Sequence, residues 1–236
     1  MQPRECLVKA AGVRLAELLG ASPSTLLEVK KGNLEKLQEI QSILVVGSSG
    51  AGKTTVVNMG RELLATYPEL GQHFEIPKRV ITRPMRENDD TNENIFAKDD
   101  EEFDRLTRGG VRWERDMGDG RIERYGFVAA TPGKMPIYSA NSAILANRAS
   151  VETPDPNFFD SALIFMVHAS DDTRARRLAA RSPDLVRDKP EEAKKRLEGT
   201  PVSQYENSHL ILQNPDGEGD SVKKNLHAVL VALAGL

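Results

Sequence analysis

The sequence predicts a three-layer α/β fold, a parallel sheet with helices on both faces, and two observations carry that expectation. From residue 42 onward, short apolar runs alternate with longer segments of helical spacing. Between the first such run and the first such segment lies a complete phosphate-loop motif. Ile43-Leu44-Val45-Val46 is the run, continuous as a strand buried on both faces should be. Gly47-Ser48-Ser49-Gly50-Ala51-Gly52-Lys53-Thr54 follows and matches G-x-x-x-x-G-K-[ST]. Residues 54–67 then place Val56, Val57, Met59, Leu63 and Leu64 at helical spacing. Further strands are expected at 80–82, 136–138, 162–167 and 209–212, and helices at 99–107, 139–148, 171–181, 190–198 and 219–235. The stretch from about 84 to 133 is rich in Asp, Asn, Gly and Arg and reads as a polar insertion.

Residues 1–40 read as a helical N-terminal extension, separate from a phosphate-loop domain over 41–236. Val8, Val13, Leu15, Leu18 and Leu19 form an apolar stripe that Gly20 ends. Ser22-Pro23 can open a second helix, since proline is tolerated in a first turn. Arg14 to Leu27 looks like a helix-turn-helix, but the 40 residues carry 6 basic and 5 acidic groups, too few spare cations for a recognition helix on DNA. The plainer reading is a helical hairpin that packs on the domain or on a partner.

Charge and composition narrow the function. With 32 Lys and Arg against 35 Asp and Glu, the net charge of −3 argues against a general nucleic-acid binder. Cys6 is the single cysteine, which excludes internal disulfides. No apolar run approaches the roughly 20 residues a membrane span needs. The N-terminus has mixed charge and lacks a signal-peptide core, so a cytoplasmic protein is expected. His73, His168, His209 and His227 show no metal-ligand spacing.

The loop specifies its own chemistry. Its glycines let successive backbone N–H groups converge on one anion, and the helix start adds the positive end of its dipole. The segment Gly47 to Thr55 is therefore the expected ATP site, with Lys53 on the β- and γ-phosphates and the Thr54 hydroxyl on Mg²⁺. This implies a nucleoside triphosphate but leaves its use open, because switches, motors and kinases share the loop.

Later motifs narrow that choice. The loop, the helix ending in Tyr67-Pro68, Thr82-Arg83-Pro84-Met85-Arg86, Tyr125-Gly126, the Arg174 to Arg181 segment, Lys195-Arg196-Leu197 and Leu212-Gln213-Asn214 occur in the order seen in guanylate kinases, which the chain resembles over residues 42–236. The resemblance implies a P-loop kinase with an inserted acceptor-binding segment at about 84–133 and a lid at about 181–200. It implies that Arg83, Arg86 and Tyr125 hold the acceptor phosphate, that Arg177, Arg181 and Arg196 belong to the lid and its flanks, and that Asn214 lies near the adenine. Arg174 and Arg176 are instead expected on a solvated face, paired with acids such as Asp171 or Asp172. The acids from Glu87 to Asp104 are expected to be solvated surface too.

The chain departs from the family where the base is read. Val80 stands in place of a base-reading serine, and Tyr138-Ser139-Ala140-Asn141 in place of a strand with two aspartates. Glu114 or Asp116, near Trp113, is the expected replacement for the family's base-reading glutamate, and Asn141 is also expected on the acceptor side. Arg79-Val80-Ile81-Thr82-Arg83 and Glu93-Asn94 also resemble ribose 1,5-bisphosphate phosphokinases, which have likewise lost the strand aspartates. The resemblance thus implies Mg²⁺-dependent transfer from ATP to the phosphate of a small monophosphate, GMP-like in the first instance. Two alternatives are a ribose 1,5-bisphosphate phosphokinase and a binding module on a kinase fold without turnover.

Overall fold

A computed structural model describes residues 26–30, 32, 40–85, 89–116, 120–141, 143–197 and 206–235, with the backbone alone at 143, 195 and 196. Two sheets organise it. The larger has six strands in the order β1 (Leu27–Val29), β10 (Leu210–Gln213), β9 (Ala162–His168), β2 (Ser42–Val46), β8 (Met135–Ser139) and β3 (Phe74–Glu75). All its neighbours run parallel except β1 on β10. The expected three-layer arrangement is present. Ile43 and Val45 face one core with α1 (Lys53–Thr66) and α9 (Gly219–Ala234), whose Val56, Val57, Leu226 and Leu230 are buried there. Leu44 and Val46 face a second core with Ile144, Phe158 and Tyr138. This is why residues 43–46 of β2 and 162–167 of β9 are apolar at every position: each side chain meets one packed layer or the other.

Three expectations change. The helix expected from Pro23 onward does not hold at Leu27–Val29, which is an edge strand pairing Leu27 with Leu212 and Val29 with Leu210. Leu27 and Val29 pack toward the first core while Glu28 is exposed, a period of two that tertiary pairing selects over local helix propensity. Most of the rest of the expected extension, residues 1–25, 31 and 33–39, with Cys6 and the stripe from Val8 to Leu19, lies outside the described residues. Second, the helix expected over 139–148 shrinks to α4 (Ala143–Ala146), because Ser139 pairs with Val45 as the last residue of β8. Third, the polar stretch is a folded unit, the smaller sheet, with strand order β5 (Asn94–Phe96), β4 (Arg79–Ile81), β7 (Ile122–Phe127), β6 (Arg112–Asp116). Its back face, with Val80 and Ile95, packs on Phe103 of α3 (Asp100–Leu106). Asp99 caps that helix by accepting from Glu102 N at 2.8 Å, as its position before the acidic first turn implies.

A buried histidine ties the ends of two central strands. His209, 8% exposed, accepts at Nδ1 from Ile164 N at 2.7 Å. Burial, aided by the Arg148 charge, lowers its pKa to about 4, so the folded state holds it neutral while the unfolded chain protonates it near 6.5. Stability conferred by the neutral ring is therefore present above about pH 6.5 and lost as pH falls toward 4. Denaturant titrations at pH 7 and pH 4.5 should differ by about 2 kcal/mol from this source, and the difference should shrink in His209→Asn.

Candidate active site

The phosphate loop leaves the C-terminal end of β2 and enters α1, the place its motif requires. Two glycines are there by necessity. A Cβ on Gly47 (φ 157°) would lie 2.4 Å from Val167 O, and one on Gly52 (φ 94°) would lie 2.1 Å from Asn214 Nδ2. Gly52→Ala should therefore displace Asn214 and lower the melting temperature by about 5 °C, with at least a tenfold loss of ATP affinity by calorimetry. An unchanged melting curve would show that the loop can relax around a methyl group.

Three side chains clamp the loop, one from the end of a strand and two from a helix. Asn214, buried just beyond β10, donates through Nδ2 to Ala51 O at 2.8 Å. Arg177 of α6 (Asp171–Arg181) donates through Nη1 to Gly50 O and Ala51 O at 3.3 and 3.2 Å, and through Nη2 to Asn214 O at 3.0 Å. Arg174 donates through Nε to Ser49 O at 3.0 Å. The expected solvated face is thus corrected for Arg174, which is 3% exposed even though it pairs with Asp171 at 2.8 Å. Spacings of three and seven residues do put Arg174, Arg177 and Arg181 on one side of the helix, and the loop occupies that side at the first two. Arg176 does lie on the exposed face, paired with Asp216.

Lys53 donates to Gly47 O at 2.7 Å and Ser48 O at 3.1 Å, so its ammonium lies within the curl of the loop. Burial is the main cause that lowers its pKa to about 8. The charges of Arg79, Arg181 and Arg174 push the same way, while Glu93 opposes them. A cluster of cations around a half-buried ammonium is unstable by itself and is relieved by an anion. Thr54 and Thr55 are exposed at the first turn of α1, and both line a groove of about 390 Å³ with Asn58, Met59 and Lys223.

The front face of the smaller sheet carries Tyr125, one of the residues expected to hold the acceptor, and β4 leads on to Arg83. Register places Ile81 opposite Tyr125 and Trp113 opposite Tyr125, with Arg79 opposite Phe127 and Asn94. Beyond β4, Arg83 makes a two-pronged pair with Asp89 at 2.6 and 2.8 Å and lies 5.7 Å from the centre of the Phe96 ring. Asp89 is therefore not solvated surface as expected. Asp100 and Asp104 are exposed, as expected, and both accept from Arg124. Tyr125 stacks on Trp113 at 5.5 Å and bonds Glu123; burial, then that carboxylate, raises its pKa.

Not every expected residue joins this face. Glu114 pairs in register with Arg124, 3.6 Å away, and strand alternation puts both on the side opposite Tyr125. Asn141 is exposed two residues past β8, where its carbonyl accepts from Ile144 N. Arg181 ends α6 and is exposed, with its charge acting on Lys53. Arg86 lies outside the described residues, as does the side chain of Arg196, whose backbone belongs to α8 (Pro190–Leu197).

Comparison with known proteins gives two likenesses. The chain is 41% identical over 59 residues to a ribose 1,5-bisphosphate phosphokinase of Methylobacterium radiotolerans, a match over 24% of this chain and 31% of that protein. It thus spans about a third of the length of that curated relative. The crystal structure of a guanylate kinase from Anaplasma phagocytophilum aligns over 82% of this chain and 86% of that one, at 16% identity and a TM-score of 0.44. Both named proteins are kinases. No family model matches the chain.

The residues present accommodate a nucleotide-borne Mg²⁺. Among the described residues no three His, Cys, Asp or Glu gather into a metal site, and the end of β8 offers Ser139 rather than a carboxylate. Mg²⁺ carried by phosphates and water needs only one or two protein oxygens, and the exposed Thr54 hydroxyl is one. Sequence reasoning passed over Arg79, Glu93 and Glu123 as site residues. For Arg79 a signal existed: it stands four residues before Arg83, and period-two alternation puts both on one face of an extended segment.

Proposed function

We propose that the chain is an ATP- and Mg²⁺-dependent kinase that transfers the terminal phosphoryl of ATP to the phosphate of a small monophosphate, GMP-like in the first instance. One observation carries this reading. A complete phosphate loop with its lysine in place lies within the electrostatic reach of Arg79 on the front face of a second sheet that also presents Tyr125 and leads into Arg83. Transfer between two phosphates demands that arrangement, because cations must offset the repulsion of donor and acceptor and of the charge that spreads over the moving group.

Lys53 and the loop amides would hold the donor phosphates. Arg83 would exchange Asp89 for the acceptor phosphate, and Tyr125 would donate its hydroxyl to the same group. Arg181, with Arg196 on the lid, would approach the moving phosphoryl. The Thr54 hydroxyl would hold a nucleotide-borne Mg²⁺, which when bound would supply charge neutralisation to the phosphates. The attacking phosphate oxygen is already an anion, so no strong base is needed.

A second reading, a ribose 1,5-bisphosphate phosphokinase, is favoured by the 41% identical segment and by the absence of carboxylates at the end of β8. ADP release with ATP and Mg²⁺ separates the readings across GMP, dGMP, AMP, UMP, CMP and ribose 1,5-bisphosphate, with Lys53→Ala as control. Turnover on one acceptor is expected. ATP binding without acceptor-dependent ADP release would overturn the kinase reading.

A further inference from the structure

The phosphate loop is held through its carbonyls, and the planar peptide passes that hold on to its amides. The buried Arg174 of α6 donates through Nε to Ser49 O at 3.0 Å, while its Nη1 pairs with the exposed Asp171 at 2.8 Å. Two residues along the loop, Ala51 O accepts from Asn214 Nδ2 at 2.8 Å and from Arg177 Nη1 at 3.2 Å. Peptide bonds among the described residues are trans, so each carbonyl points opposite to the N–H of the residue after it. Holding Ser49 O and Ala51 O from the α6 side therefore turns the amides of Gly50 and Gly52 away from α6. The fit around the first of these is close. A Cβ on Gly50 (φ 79°) would lie 2.9 Å from Arg174 O, so the backbone and the guanidinium of one residue fix the same turn of the loop.

We propose that Arg174 is a positioning residue of the donor site: by holding Ser49 O it aims the Gly50 amide at the phosphates of the nucleoside triphosphate, as Arg177 and Asn214 do for Gly52. The inference rests on the donor half of the kinase reading and adds to it side chains that act without touching the nucleotide. Donors fixed in advance bind an anion more tightly than donors that must first turn toward it. What Arg174 supplies is a hydrogen bond at Nε rather than a charge, which Asp171 offsets. The nitrogen that reaches the loop is the one bonded to Cδ. Glutamine also carries its amide nitrogen on Cδ, so it keeps that donor and drops the charge. Lysine puts a methylene at that place and keeps the charge. The two variants thus separate aim from charge.

Calorimetric titration of the full chain with ATP and with inorganic tripolyphosphate, Mg²⁺ present and well below the melting transition, tests this without requiring turnover. Arg174→Met should weaken both ligands about tenfold, the loss of one hydrogen bond to a charged group. Arg174→Gln should recover most of that loss and Arg174→Lys little of it. Tripolyphosphate should suffer as ATP does, because the amides grip phosphate and not the base. If Arg174→Met does not fold, the order of glutamine and lysine decides alone. Lysine equal to or better than glutamine would mean a role through charge and overturn the inference. So would variants that melt earlier yet bind both ligands like the unmutated chain, the mark of a merely structural role. If Lys53→Ala abolishes ATP binding while the Arg174 variants leave it unchanged, this inference falls and the kinase reading stands. If the expected order is seen but no acceptor raises ADP release, the kinase reading falls and this inference stands. If the unmutated chain binds no ATP, both fall.

Discussion

Lys53→Ala is expected to lower acceptor-dependent ADP release by about 10³-fold, the upper end of what removal of one preorganised charge contact costs at a transition state. The ammonium bridges the carbonyls of Gly47 and Ser48 inside the loop, so its loss removes both the charge and a brace on the loop's curl. ATP affinity should fall as well, because Lys53 meets the phosphates before and during transfer. The pKa of about 8 adds a pH signature. An anion prefers the protonated lysine, so the ATP dissociation constant should be flat below about pH 8 and rise toward tenfold per pH unit above it. Titrations from pH 6.5 to 9.5 would show the break in the unmutated chain and its loss in Lys53→Ala. A flat profile in both would mean that another group carries the phosphate charge.

Arg83→Ala should cut kcat/KM for the acceptor by about 10²- to 10³-fold and leave the ATP dissociation constant unchanged. Two effects combine. The two-pronged contact with a phosphate is lost, and Asp89 is left as an uncompensated anion where the acceptor must approach. The double variant Arg83→Ala/Asp89→Ala should therefore recover several-fold over the single one, although it lacks the same arginine. Arg83→Lys should not rescue fully, since an ammonium cannot reproduce the planar fork that Asp89 now engages. Steady-state kinetics with varied acceptor at saturating ATP would decide it. Equal weakening of ATP would place Arg83 on the donor side instead.

Three arginines of the smaller sheet and its flank already have anionic neighbours. Arg83 has Asp89, Arg79 has Glu93, and Arg124 on the opposite face has Asp100 and Asp104. Such pairing explains how a chain of net charge −3 can build an anion-binding cleft. Substrate phosphates would replace carboxylates, and the balance of local charge would change little.

Several features were legible from the amino-acid order because they depend on neighbours in sequence. The buried β2 run, the glycine pattern of the loop and the helices over 171–181 and 219–235 all follow from spacing and local chemistry, and the structure has them. The sheet hidden in the polar stretch was not legible. Its strands are short and charged, with Arg112 to Asp116 carrying four ionic side chains in five residues, and only pairing with β7 makes them a strand. The edge strand Leu27–Val29 was hidden for a related reason. Three residues carry too little pattern to outweigh a helical setting until β10 offers an open edge.

By itself, then, the sequence determined that a phosphate loop would join a buried parallel strand to a helix, since glycine, lysine and threonine at those spacings have one good use. Tertiary structure decided what surrounds the loop. It turned Arg174 from a surface group into a clamp on Ser49, sent Glu114 to the far face of its strand and gave Arg83 to Asp89. The physical reason is that a charged side chain has little intrinsic preference for the interior. It becomes buried only where a partner of opposite charge or a carbonyl offsets its lost hydration, and those partners lie 3 to 127 residues away along the chain.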